Sequence, residues 1–495
     1  AGLEIVGSGA GSLYVGAVSL MPSDNLHGFR PEVIAALKQL RSGVYRFPGG
    51  NFVSAHEWRN AVGDPDKRPP ILDPVWNAVQ PNDVGTDEFM TLCRLLEVEP
   101  YITVNAGFGD AWSAAQLVEY ANGAPTTPMG RWRAANGHPQ PYGVKLWGIG
   151  NEMFGIWQFG VMPPDQYQIK HNLFAKAMRR VDSSIKLLAS GAMPDHMTGS
   201  KLLKMYTGKV VPDYLGLWDW SGGLLANCLD NMDMLSEHYY AYSNQRFDLE
   251  KGERVPVPNQ PLVEWARQPA SYVRVKYEHY QEYLARIPGL KAKPIPISIS
   301  EWAYTGAPAN SHRTVLAYAW AFHEMFRHSE LFQMATFTFA TSLLSSSRTE
   351  AVLNPSGLMF KLYRDHFGSI HVAVSGSSPQ PAPMYPALGN QPKVNPGSDT
   401  YPLDVAAALS EDRKTLSVAV VNPTESEQQL SLSIKGVELS GKAVLWRMAP
   451  ASLNATIVVG QKPGVEVEQR MLEGIPGKAA IAPFSVNIYE MQVSK

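Results

Sequence analysis

Two glutamates stand where a glutamate is costly. The stretch "KLWGIGNEMFGIWQFG" (145–160) runs apolar into Gly-Asn-Glu and places Glu152 at the end of an apparent buried strand. "ISISEWAYTG" (297–306) repeats the arrangement with Glu301, beside Trp302. Taking an unpaired carboxylate out of water is expensive, so both positions ask for a use. Paired carboxylates, one protonated and one ionised, are the machinery of glycoside hydrolysis. A lone glutamate reads more simply as a loop residue or a salt-bridge partner. Two at matching strand ends, both flanked by aromatics, favour the chemical reading.

The elements that would position them alternate in type. Strands are expected at 12–20, 43–47, 101–105, 144–150, 186–191, 232–240, 294–300 and 334–340. Helices are expected at 31–40, 86–98, 114–122, 164–181 and 313–329. Eight strands alternating with helices predict a parallel sheet closed into a (β/α)8 TIM barrel, with an open doubly wound sheet as the alternative. In a barrel, reactive groups gather at the C-terminal ends of the strands. The texture changes near residue 369. A proline-rich tract (375–400) leads into short alternating runs at 403–409, 415–422, 428–436, 442–448, 455–460, 465–471 and 485–493. These predict an antiparallel β-sandwich. The expected plan is an α/β chain with a catalytic barrel over 13–368 and a sandwich over 369–495, to which residues 1–12 are a candidate addition. The sandwich carries no paired carboxylates and is expected to be structural or accessory.

Bulk properties narrow the partners. The chain has 495 residues, 45% of them hydrophobic and 10% aromatic, enough for a sizeable core. Its net charge is -2, from 43 basic and 45 acidic residues, which gives no reason to expect nucleic acid or an anionic membrane. Twelve Trp and 21 Tyr suit either core packing or sugar stacking. The two cysteines, Cys93 and Cys228, make no disulfide framework and are expected to be buried free thiols. No apolar run is long enough to span a membrane, and no basic and apolar leader pattern is seen within this numbering. The expected compartment is the cytoplasm, or the exterior after removal of a leader outside this numbering.

Four stretches, "RFPGGNF" (46–52), "GNEMFGIWQ" (150–158), "EHYY" (237–240) and "SEW" (300–302), resemble the pattern of the family 51 glycoside hydrolases of clan A, the retaining α-L-arabinofuranosidases. The resemblance runs in order from about Leu13 to the C-terminus and is closest from Arg46 to Gly191. It implies Glu152 as general acid/base and Glu301 as nucleophile. It implies sugar-binding roles for Asn151 and Asn51, a charge beside the nucleophile from Arg46, and a phenol on the nucleophile from Tyr240, with Tyr239 as the alternative. Neighbours such as Phe154 and Trp157 would favour a protonated Glu152. No metal or cofactor is implied. The implied substrate is a plant cell-wall oligo- or polysaccharide such as arabinoxylan or arabinan, and a homo-oligomer is an open expectation.

The chain also departs from that pattern. The family's first strand carries Phe-x-Glu-His, whereas "EIVGSGAGSLYVG" has no carboxylate after Glu4. The nucleophile motif Asp-Glu-Trp-x-x-Trp reads Ser-Glu-Trp-Ala-Tyr-Thr, with Thr305 in place of the second Trp. A β-glycanase, β-xylosidase or β-glucosidase on the same scaffold is therefore the second expectation. A carbohydrate-binding protein without turnover is the third. Two look-alikes are set aside. "HEMFRH" (323–328) spaces its histidines five apart, about 140° around a helix, unlike the i, i+4 pair of a zinc site. "GSGAGS" (7–12) is a turn rather than a dinucleotide fingerprint. His56 and Trp58 read equally as site lining or packing.

Overall fold

The computed structural model describes residues 4–15, 18, 20–257, 260–384, 394–474 and 477–494. Its central sheet is parallel, with seven strands in chain order: β1 (Val44–Phe47), β2 (Glu99–Val104), β3 (Leu146–Ile149), β4 (Lys186–Ser190), β5 (Met234–Tyr242), β6 (Ile297–Thr305) and β7 (Phe332–Ala335). Each pairs with the next through a helical crossover. The helices include α1 (Pro31–Lys38), α2 (Thr86–Leu96), α3 (Ala111–Asn122), α4 (Pro164–Val181), α5 (Leu262–Arg286), α6 (His312–Arg327) and α7 (Pro355–His366). Strands buried on both faces read as continuous apolar runs, which is why β3 and β4 were legible. The long helix α5 and helix α7 were not expected.

The expected first strand over 12–20 is corrected. Residues 16, 17 and 19 lie outside the described residues, and the others form no strand. Leu13 is 70% and Tyr14 91% exposed, so this segment buries little. With so little apolar surface buried, nothing offsets the entropy cost of fixing these residues in a strand.

The second sheet is antiparallel, in the order β8-β9-β10-β13-β11-β12: β8 (Ile370–Val372), β9 (Asp404–Leu409), β10 (Thr415–Asn422), β11 (Leu439–Met448), β12 (Glu468–Glu473) and β13 (Ser485–Val493). A two-stranded sheet of Gln428–Ser431 with Lys478–Ile481 completes the sandwich. Val418 and Val420 of β10 face the core of the sandwich. Ala419 and Val421 face the other way, into the large core shared with the barrel. The expected strand at 455–460 is absent. There Ile457 is tied to barrel residues instead, accepting from Asn310 Nδ2 at 2.8 Å and donating its N–H to Asn310 Oδ1 at 3.1 Å. Residues 4–12 add no strand to the sandwich. Residues 385–393 of the proline-rich tract lie outside the described residues.

The rejected zinc motif has a structural use. His323 Nδ1 lies 2.7 Å from Asp404 of β9, and its Nε2 lies 2.6 Å from the Tyr363 hydroxyl of α7. Arg327 also donates to Asp404, at 2.5 Å. His328 stays within the barrel layer, against Glu324. Cys93 and Cys228 are buried and free. Among the described residues no helix is long and apolar enough to cross a membrane.

Candidate active site

The turn after β3 explains the Gly-Asn-Glu sequence. Gly150 has φ +75°, and a Cβ there would come within 2.8 Å of Ala106 Cβ and 2.9 Å of Met153 Cγ. Glycine is the residue that fits. Glu152 is itself left-handed, with φ +44°. Such a conformation costs a side-chain-bearing residue about 1–2 kcal/mol, and strain of this kind collects at functional sites. The turn is held by the Gly155 N–H donating to the Glu152 carbonyl at 2.7 Å.

Glu301 reaches the same place by another route. It lies inside β6 rather than after it, beside a break in register between Ile299 and Glu301 opposite β5. A bulge of this sort re-aims the side chain that follows. Strand alternation then groups Ser236, His238 and Tyr240 of β5 on one face, away from Glu237 and Tyr239. Glu237 turns outward to accept from Lys276 of α5 at 2.9 Å, and Lys276 also pairs with Asp195 at 3.2 Å. The Tyr239 ring packs on Tyr272 and Trp302.

The two carboxylates meet around His238. Its Nδ1 lies 3.0 Å from Glu152 Oε1 and 3.6 Å from Glu301 Oε2. One atom from each of the three side chains lies within 4.8 Å of the others. Arg46 Nη1 donates to Glu301 Oε1 at 2.8 Å, and Nη2 donates to Asn151 Oδ1 at 2.6 Å. Arg46 is itself braced by Thr103 at 3.1 Å and by the Tyr101 ring. The Gly50 N–H donates to Glu301 Oε1 at 3.2 Å, and the Tyr240 hydroxyl donates to Oε2 at 2.6 Å. A cation held by these three ligand-type groups would compete with Arg46 for Glu301.

Burial alone would push the Glu301 carboxyl up. Electrostatic interaction with His238 and Arg46, with the hydrogen bonds from Tyr240 and Arg46, overcomes it and holds that carboxyl well below the usual carboxylate range. Burial, reinforced by the charge of Glu301, pushes the Tyr240 phenol up and keeps it a neutral donor.

Five of the six sequence candidates thus converge directly: Arg46, Asn151, Glu152, Tyr240 and Glu301. Asn51 follows Gly50, whose N–H reaches Glu301, but its own Oδ1 accepts from Gln158 Nε2 at 3.0 Å, while Ser54 donates to Gln158 Oε1 at 2.6 Å. Trp157 is a polar partner rather than an apolar wall, since its indole N–H donates to Glu152 Oε2 at 2.6 Å. His56 and Trp58 are packing residues. His56 sits among Phe47 and Phe52, and Trp58 among Tyr120 and Trp132. Trp302 is core, enclosed by Tyr318, Phe322 and Phe337. The sequence reading missed His238 and Gln158. Both lie inside stretches it singled out, and the period-2 alternation that pairs His238 with Tyr240 was the available signal.

Comparison with known proteins points to arabinofuranosidases. Residues 36–248 match the model of the alpha-L-arabinofuranosidase 1 domain. The chain is 27% identical over 442 residues to the intracellular exo-alpha-(1->5)-L-arabinofuranosidase 1 of Bacillus subtilis, covering 84% of this chain and 80% of that protein. It is 29% identical over 464 residues to a probable alpha-L-arabinofuranosidase C of Aspergillus flavus, covering 90% and 85%. The chain is a relative of the family 51 glycoside hydrolases. The fold of that family is seen directly in the alpha-L-arabinofuranosidase of Thermotoga maritima in its arabinose complex. That structure superposes with a TM-score of 0.77 at 24% identity, over 94% of this chain and 90% of that one. The family 51 enzyme of Thermotoga petrophila gives 0.76 at 24% identity, over 95% and 92%. This likeness shows the barrel-and-sandwich fold.

Proposed function

We propose that this chain is a retaining, exo-acting α-L-arabinofuranosidase that removes arabinofuranosyl groups from plant cell-wall glycans such as arabinoxylan or arabinan. One observation carries the reading. A carboxylate oxygen of Glu152 and one of Glu301 lie within 4.8 Å of each other, with His238 between them. Retaining enzymes hold their carboxyls about 5–5.5 Å apart, and inverting ones about 6.5–9.5 Å apart.

Glu301, kept ionised by Arg46 and Tyr240, attacks the anomeric carbon and forms a glycosyl ester. Glu152 gives its proton to the departing glycosidic oxygen. It then takes a proton from water, which attacks the ester and releases the sugar with its configuration retained. Asn151 supports the sugar assignment. Its Oδ1 is engaged by Arg46, while its Nδ2 is buried with no protein partner. Buried donors are almost always paired, and a sugar hydroxyl is the acceptor this reading supplies. The exo arabinofuranosidase activity in the name of the Bacillus subtilis relative, and the arabinofuranosidase activity in that of the Aspergillus flavus one, support the same substrate class.

The test is hydrolysis of a panel of aryl glycosides, furanosides beside pyranosides. The arabinofuranoside should be cleaved. Glu301→Ala should abolish turnover on every substrate. Glu152→Ala should retain activity where the leaving group needs little protonation, and azide should rescue it. The reverse pattern would exchange the two roles. Activity on a β-glycan without any on the furanoside would sink the reading.

A further inference from the structure

Beside Glu301 the barrel mouth holds a cavity of about 240 Å³ that the reaction above does not use. Tyr240 and Thr338, bonded to each other at 3.0 Å, form the wall it shares with the catalytic cluster. Arg46, Asn51, Asn151, Glu152 and Glu301 do not line it. Neither do Phe154 and Trp157, the neighbours of Glu152. The cavity therefore flanks the nucleophile and not the acid. In a retaining glycosidase the leaving group lies towards the acid, so a cavity on the other flank faces the sugar that is transferred.

Its lining is aromatic and stiff. Phe337 packs edge-on against Tyr318 with ring centroids 5.3 Å apart, and the Tyr304 hydroxyl is fixed on the Trp265 carbonyl at 2.8 Å. Thr and Ser hydroxyls are interspersed, but no amide, carboxylate or cationic side chain is present. A second sugar would bring several hydroxyls and find few partners among these side chains. An aromatic ring needs none. An apolar cavity of about 150 Å³ accepts one benzene ring. The volume here holds a ring and a short link to the sugar.

Two features keep the cavity open. Thr305 lines it, at the position where the family pattern places tryptophan. At the rim, Phe339 is 73% exposed and left-handed, with φ +63°. Bulky residues rarely take that conformation. It is locked because the Phe339 carbonyl accepts from the Ser342 N–H at 2.9 Å and from its hydroxyl at 2.6 Å. A strained backbone that holds an aromatic ring in solvent, at the edge of an aromatic cavity, marks a functional position.

We infer that this cavity binds an aromatic acyl group esterified to the transferred sugar at its primary hydroxyl, so that the enzyme releases arylated arabinosyl groups as well as bare ones. The inference rests on the proposed arabinofuranosidase reading.

The experiment compares 4-nitrophenyl arabinofuranoside with the same compound carrying a cinnamoyl ester on the primary hydroxyl. Wild-type kcat/KM for the ester should be within about threefold of the unsubstituted value, or above it. Thr305→Trp, which fills the cavity, should lower kcat/KM for the ester at least tenfold and leave the unsubstituted value within twofold. Phe339→Gly removes the rim ring and relieves its backbone, so it serves if Thr305→Trp does not fold. It too should lower the ester alone. The inference is overturned if wild type cleaves the unsubstituted compound but turns over the ester a hundredfold less well, or if both variants affect the two substrates alike. It is also overturned if an arabinosyl group on the same hydroxyl is accepted better than the cinnamoyl one. Cleavage of neither substrate would overturn the arabinofuranosidase reading and this inference together.

Discussion

Deleting one hydroxyl probes the charge on Glu301. Tyr240→Phe removes the O–H that donates to Glu301 Oε2 at 2.6 Å and leaves the ring, the strand and the Arg46 contacts in place. A hydrogen bond to a charged group is worth about 1.5–3 kcal/mol, equivalent to about 1–2 pKa units. In the intact site, His238, Arg46 and Tyr240 hold the Glu301 carboxyl well below the usual range against the cost of its burial. Without the phenol the ionised form is less favoured, so the carboxyl rises toward its ordinary value. Attack needs the carboxylate, and kcat/KM reports the free enzyme. The acid limb of the kcat/KM profile should therefore move to higher pH by about 1–2 units. The assay is kcat/KM for an aryl arabinofuranoside between about pH 3 and pH 8, for both proteins, with circular dichroism to confirm the fold. An acid limb that stays in place while activity falls equally at every pH would show that Tyr240 does not act through the charge of Glu301.

Other expectations follow from the same contacts. Gly148→Ala would place a Cβ within 2.8 Å of the Tyr101 hydroxyl and 3.2 Å of Thr103 Oγ1, the two side chains that brace Arg46. It should lower kcat with little loss of stability, read from kinetics beside thermal unfolding. Asp404→Ala would remove the carboxylate that buried Arg327 and His323 share, leaving Arg327 to Glu324 and His323 to Tyr363, and should cost about 1.5–3 kcal/mol in a denaturant titration. Arg327 and His323 hold the Asp404 carboxyl at about 2 despite its burial. A depressed carboxyl contributes stability above its unfolded value, and that stability is lost as pH falls through the folded one. Wild type should therefore lose stability between about pH 4 and pH 2 more steeply than Asp404→Asn. Finally, a site lacking one buried hydrogen-bonding group should reject analogues less strongly. The ratio of kcat/KM for aryl arabinofuranoside to that for aryl xyloside should fall below that of a relative carrying the first-strand glutamate, and strict selectivity for the furanoside would refute this.

Much of this molecule was legible because burial writes a period into sequence. The strands β3, β4 and β10 are apolar on both faces and announced themselves as runs. The two glutamates were legible because each interrupts such a run. What stayed hidden depends on contacts between distant residues. Helix α5 carries Pro269 in its interior, at a cost of about 3 kcal/mol that local reading takes as a stop and burial against the sheet offsets. The segment 12–20 shows the opposite failure. Its alternation is strand-like, yet its described residues are left exposed and unpaired. His238 was passed over because its neighbours on both sides are also polar or aromatic; alternation groups it with Tyr240, and the pairing of β5 with β6 shows that this is the face turned to Glu301.

The core shared by barrel and sandwich alters what a truncation would measure. Ala419, Val421, Val486 and Ile488 belong to the same buried cluster as the barrel helices, and Asp404 is fastened to α6 by two side chains. A chain cut at residue 368 would strip that face from the helices and take the Asp404 carboxylate away from His323 and Arg327. The barrel half would then offer water an apolar wall, with His323 held by Tyr363 alone and Arg327 by Glu324 alone at its centre. Insolubility of such a fragment would report on a broken core and carry no information about whether the sandwich touches substrate. That question calls for substitutions on the solvent side of the sandwich, with the whole chain kept.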